Sequence, residues 1–219
     1  MSPLTSPDAV RALYLEAATR AAALLRDPHV ADAWGDGSIL EGMTVGALAG
    51  HLARSVLQVE WFLDGPLDQG LEPTTAVTYY ARIVDAPDPG SALNRGVRAR
   101  SEESAAAGAV AVASDTAAAL DRLRARLPHE PAGRRVAILH RPGEEMLLDE
   151  YLRTRCVELA VHTDDLALSV GVDAHAPEGA TAVAIDLLVA AGAERHGGLA
   201  VLRALSRRER DDVGALRVL

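Results

Sequence analysis

Residues 149–171, DEYLRTRCVELAVHTDDLALSVG, decide the fold of this chain. The stretch predicts one long helix, opened by Asp149 as N-cap and closed by Gly171 in left-handed backbone. At about 100° per residue, Arg155, Glu158, His162 and Asp165 fall on one line with Tyr151 and Ser169. Leu152, Leu159 and Leu166 flank that line on one side. A carboxylate and an imidazole one turn apart, beside an apolar flank, point into a core. Burying such groups without a partner is costly, and the partner expected here is a divalent metal.

Working outward, the preceding residues change period. Arg134-Val136-Ile138 alternates, Arg141-Pro142-Gly143 is a turn, and Met146-Leu147-Leu148 follows. This predicts a small hairpin leading into the central helix. Further upstream, 89–127 is Ala-rich and helical, with Gly96 and Gly108 as candidate bends, and Pro128 ends it. A third helical region is expected over 73–85. Before it, Thr44 caps a helix through TVGALAGHLARSVLQVEWFLDG, whose stripe is Leu48, Leu52, Val56, Val59 and Leu63. His51 stands at the border of that stripe. The first helix starts at Ser6-Pro7, runs from Asp8 to Arg26 and stops at Asp27-Pro28; residues 29–43 are expected as a loop. Downstream, a helix is expected over 180–195, broken by His196-Gly197-Gly198, with a last helical piece in LAVLRALSRRER. The expectation is an all-α protein: a four-helix bundle with a hairpin before the ligand helix and extra C-terminal helices. Residues 1–195 form the bundle in this reading, and 196–219 a short helical extension.

Composition narrows the function. The chain has 219 residues, 49% hydrophobic and only 3% aromatic, so its core is built from Leu, Val and Ala. The formal net charge of −9 argues against nucleic acid as a partner, because phosphate neutralisation needs a basic surface. All 22 basic residues are Arg. The basic run Arg203, Arg207, Arg208 and Arg210, interrupted by Glu209, reads as a solvated helix end. One cysteine, Cys156, excludes an internal disulfide, suits a reducing compartment and reads as a small core residue. Neither a secretory signal nor a membrane-length apolar run is present in the sequence, so a soluble, cytoplasmic protein is expected.

Glu158 and His162 form an E-x-x-x-H pair on one helical face. His51, on another helix, supplies a third donor. Two His and one Glu leave a position open for water or substrate, as catalytic rather than structural zinc sites do. Zinc is the first expectation; nickel, iron, manganese and cobalt stay open on residue types alone. Asp165 is expected either to fix the tautomer of a ligand imidazole or to pair with Arg155, and Arg155 either to form a salt bridge or to bind a substrate carboxylate. Trp34, Trp61 and Phe62 are candidates to line a pocket near His51. Asp164 and His29, His129, His140, His175 and His196 read as surface residues.

The segments TVGALAGHLARS and EYLRTRCVELAVHTDDLALSVG, the HRPGEEML turn and AVLRALSRRER resemble the mycothiol-dependent maleylpyruvate isomerase family, a branch of the DinB-like metal-binding four-helix bundles. The resemblance implies that His51, Glu158 and His162 are the metal ligands and that mycothiol is the co-substrate. It also implies that a thiolate formed at the metal attacks a small-molecule electrophile, in isomerisation or S-transfer. The isomerase carries a second α/β domain that contributes an Arg, whereas only about 20–25 residues follow the fifth helix here. That makes thiol S-transfer to some electrophile the safer expectation than maleylpyruvate isomerisation. A metal-dependent hydrolase and a non-catalytic metal or small-molecule binding protein of the same fold are the alternatives. A homodimer is compatible with such bundles; no membrane partner is expected.

Overall fold

The computed structural model describes residues 6–67, 71–83 and 90–206, together with Leu216 and Val218. Nine α-helices and one two-stranded sheet lie among the described residues. The all-α expectation holds.

Helix α1 (Pro7–Leu24) begins as its sequence dictates: Ser6 caps it and Pro7 occupies the first turn. A short helix, α2 (Pro28–Asp32), follows Asp27, whose side chain accepts from the His29 backbone N–H; this segment was expected as loop. Helix α3 (Val45–Leu63) is capped by Thr44, whose hydroxyl accepts from Ala47 N–H. Caps of this kind contribute about 1 kcal/mol each. Helix α4 (Ala76–Ala81) is shorter than the third helical region read from sequence, starting only at the Thr75 cap. The long Ala-rich stretch is two helices, α5 (Ala92–Ala105) and α6 (Ala109–Arg126). The break falls at Gly108, whose φ of +85° only glycine adopts cheaply, while Gly96 sits inside α5.

Strands β1 (Arg135–Ala137) and β2 (Glu145–Leu147) pair antiparallel, with Val136 opposite Met146. Both of those side chains are buried, so the hairpin is pinned to the core, while its tip reaches Tyr79 through His140 and Arg141. Helix α7 (Leu148–Val170) leaves the hairpin directly. Its N-cap position is Leu147, which offers no side-chain cap. Asp149 lies inside the first turn instead, and its carboxylate binds Arg11 at 2.8 Å. The long-range partner outbid the local cap. Gly171 closes α7 with φ +69°, in the left-handed conformation its position predicts. Helices α8 (Glu178–His196) and α9 (Gly198–Ser206) follow. Asp85, Pro89, Arg207, Arg208, Glu209 and Arg210, which figure in the sequence expectations, lie outside the described residues.

Helices α1, α7, α3 and α6 close a ring in which each packs on the next, with α8 laid against α7 and α5 against α3. The core between them is largely aliphatic: Leu48, Leu52, Val56, Leu120, Leu123, Leu152 and Leu159 are all at most 2% exposed. No helix among the described residues is long and apolar enough to cross a membrane.

Candidate metal centre

The line of polar residues on α7 faces α3 across the bundle, and His51 is the residue that meets it. His51 Nε2 lies 3.2 Å from His162 Nε2, and each lies 3.4 Å from Glu158 Oε2. The three expected ligands therefore form a near-equilateral triangle of donor atoms. Their side chains are only 15–19% exposed. The two imidazoles stand edge to face, 76° apart.

The outward nitrogens decide what the inward ones can do. His162 Nδ1 donates to Asp165 Oδ2 at 2.9 Å. His51 Nδ1 lies 3.3 Å from Ser101 Oγ, whose own proton goes to the Val97 carbonyl at 2.8 Å; the hydroxyl oxygen must then accept from the ring. With both Nδ1 atoms serving as donors, the two Nε2 atoms and a carboxylate oxygen turn three lone pairs toward one point. Such an arrangement is repulsive until a cation enters it. Three donors about 2.1 Å from one tetrahedral zinc stand about 3.4 Å from one another, so the triangle fits such an ion without rearrangement.

The protonation pattern follows from the same geometry. Burial alone would raise Glu158, but hydrogen bonds from His162 and His51 and the charge of Arg155 hold its carboxyl well below the usual range. Burial would lower His162, yet its bonds to Asp165 and Glu158 prevail and lift it to about 9. Burial and then the neighbouring His162 push His51 down. Without metal, a proton on His162 takes the cation's place.

Other elements hold the triangle. Tyr80 of α4 donates to Glu158 Oε1 at 2.8 Å, leaving Oε2 to face the histidines. Helix α4 is in turn fixed at both ends: Glu150 accepts from Ala76 N–H at 2.7 Å, and Arg195 binds the carbonyls of Tyr80, Ala81 and Ile83. Ser101 reaches His51 because Gly50 lets α5 approach α3 closely. A Cβ at Gly50 would stand 2.6 Å from the Ser101 carbonyl oxygen, which is backbone and does not yield.

Beside the triangle opens a cavity of about 460 Å³. Leu40, Met43, Ile83 and Val97 contribute apolar wall, and Arg54, Arg100, Arg141 and Arg155 reach it from α3, α5, the hairpin tip and α7. Asp165 is the partner of His162, which settles its two expected roles, while Arg155 lies 3.9 Å from Glu158 and over the Tyr151 ring. The pocket aromatics differ from those expected. Phe62 is buried against Tyr151, Trp61 is 45% exposed, and Trp34 packs where Gly46 leaves room; none of the three lines the cavity. Tyr79 and Tyr80 line it instead. His140 is exposed, as expected, but it also lines the cavity. It sits at the cavity mouth, bonded to the Tyr79 hydroxyl at 3.1 Å. Desolvation and the surrounding arginines push it down, so it is neutral at pH 7. Asp164, His29, His129, His175 and His196 are exposed, as expected. Cys156 is fully buried and its thiol is pushed up to about 12.

Sequence reasoning missed Tyr80, Ser101 and Gly50. No local pattern marks them, because each acts across a helix–helix contact that only the assembled bundle creates.

Neither the curated proteins nor the solved structures include a match to this chain. The profile of the mycothiol maleylpyruvate isomerase N-terminal domain matches residues 14–167, which run from within α1 to near the end of α7 and include His51, Glu158 and His162. The chain belongs to the mycothiol maleylpyruvate isomerase N-terminal domain family.

Proposed function

We propose that the protein is a metal-dependent enzyme in which His51, Glu158 and His162 hold a divalent cation, zinc in the first instance, and a mycothiol thiolate is transferred to a small electrophile or isomerises it. The observation that carries this reading is the triangle of two imidazole nitrogens and one carboxylate oxygen, 3.2–3.4 Å apart, at the wall of a 460 Å³ cavity. A divalent cation at such a site supplies stabilisation of a thiolate near neutral pH.

The chain's own residues do the rest. Asp165 and Ser101 fix the tautomers of His162 and His51, so that Nε2 faces the site in both. Tyr80 keeps Glu158 turned inward. Cys156 cannot act as the nucleophile, being buried in the core with a raised pKa, so the thiol must enter from solution. Hydrolysis is the weaker reading. Among the described residues, the carboxylates lining the cavity are Glu158 and Asp165, and both are already engaged by the histidines, which leaves neither free as a base for water.

The test is elemental analysis of untagged protein, followed by reaction of mycothiol with monochlorobimane. About one equivalent of metal and acceleration lost on chelation, restored by zinc, is the expected result. Failure to retain zinc, nickel or iron after reloading would overturn the reading, as would an unchanged rate in His162→Ala.

A further inference from the structure

The chain carries a net charge of −9, yet four of its 22 arginines converge on one cavity. Charges of one sign are not gathered without an opposing group, and the cavity supplies few. Among the described residues, Glu158 and Asp165 are its carboxylates, and both are committed to the histidines. Arg155 is 5% exposed and its nearest carboxylate oxygen is 3.9 Å away, on Glu158. Arg141 lies over the Tyr79 ring at 4.4 Å and meets Glu144 only at 3.7 Å, at the partly exposed hairpin tip. Arg54 donates to the Ser104 hydroxyl. Among the described residues, neither Arg54 nor Arg100 has a carboxylate within 4.0 Å. These side chains come from four separate elements, so no single helix pattern explains their meeting.

We infer that this cavity is an anion subsite, in which Arg54, Arg100, Arg141 and Arg155 select an electrophile with an apolar body and a terminal carboxylate or phosphate. The inference rests on reading the site as one that receives a small electrophile. Guanidinium groups match both anions with paired N–H donors, and the low-dielectric wall strengthens each contact. The apolar part of the ligand lies against Leu40, Met43, Ile83 and Val97. A cation on the triangle adds positive charge, so a thiolate alone leaves the cavity short of negative charge. The ligand supplies the difference.

Calorimetric titration of the full chain tests this with 4-phenylbutyrate, phenyl phosphate and the neutral 4-phenylbutyramide, in metal-free and zinc-loaded protein. At least one anion is expected to bind about tenfold or more tighter than the amide in both forms. In an Arg100→Gln/Arg141→Gln double variant that preference shrinks at least about fivefold, while Arg122→Gln, on the far surface paired with Glu60, leaves it unchanged. Those two arginines are partly exposed and their loss does not threaten the fold; circular dichroism checks this. Binding of the phosphate but not the carboxylate assigns the ligand class without changing the subsite. Equal binding of acid and amide, no binding of any probe at 10-fold millimolar excess, or a preference that appears only with zinc and survives the double variant would each overturn the inference. Metal-free binding is read independently of thiol turnover, so its failure is distinguishable from failure of the metal–thiol reading.

Discussion

Helix α7 carries two buried charged clusters, and they are built to opposite rules. At its first turn, Asp149 meets Arg11, whose guanidinium also donates to the carbonyls of Leu127, Glu130 and Pro131. Donors face acceptors throughout, and the cluster ties α1, α7 and the end of α6 together. Two and a half turns on, the ring nitrogens of His51 and His162 and a carboxylate oxygen of Glu158 face one another, held together in the metal-free protein by a proton on His162. The first cluster is complete within the fold; the second closes around a proton or, in the function proposed above, around a metal ion. Burial and charge alone do not separate a structural cluster from a functional one. The balance of donors and acceptors does.

Removing one ligand gives the largest expected effect. His162→Ala should lower metal affinity by more than about 100-fold, exceeding what loss of an outer partner does, measured by competition with a chromophoric chelator. The fold should persist, because the aliphatic core does not depend on the triangle. A variant that keeps wild-type affinity would remove the distinction between the two clusters.

Arg11→Ala is the converse. It strands Asp149 and three carbonyls, and breaking a buried pair in this way costs about 3–5 kcal/mol. For a chain of this size that lowers the melting temperature by on the order of 10 °C. Metal stoichiometry should stay unchanged, and a proportional loss of both would show that the clusters are coupled through α7.

The ligand triangle was legible in sequence because its parts obey helical geometry: E-x-x-x-H puts Glu158 and His162 on one face, and His51 borders the stripe of a capped helix. Ser6, Thr44 and Gly171 were legible for the same reason, since caps are local. Asp149 misled because its local role and its long-range one use the same oxygen atoms, and the charged partner 138 residues away prevails. In the long Ala-rich stretch both Gly96 and Gly108 were candidate bends, and only the positive φ of Gly108, which composition does not reveal, separates the one that divides the stretch into two helices. Four arginines on α3, α5, the hairpin tip and α7 carry no shared pattern at all, so their cavity could only be seen once packed.

Proton competition gives the next effect. With His162 at about 9 in the metal-free protein, the site is protonated at pH 7 and metal must displace that proton. Uptake should therefore release about one proton per metal below pH 8, and the release should fade as pH passes 9. Apparent affinity should rise about tenfold per unit from pH 7 to 9 and then flatten. Titration calorimetry in two buffers of different ionisation heat reads the proton count directly. Pure metal binding with no proton release at pH 7 would mean that the triangle is not closed by a proton when metal is absent.

The smallest expected effect comes from Asp165→Asn, and it separates two roles of one carboxylate. The Asn oxygen still accepts from His162 Nδ1–H, so the tautomer survives and Nε2 continues to face the triangle. What disappears is the negative charge, which both makes His162 a better ligand and raises its affinity for the competing proton. At pH 7 these consequences oppose each other: the metal is held less well, but the proton is displaced more easily. Near pH 9 and above, the proton no longer competes and only the weaker ligand remains. Affinity should thus fall less than about tenfold at pH 7 and by about tenfold or more at pH 9. An equal loss at both pH values would mean that Asp165 serves only to orient the ring, with its charge playing no part.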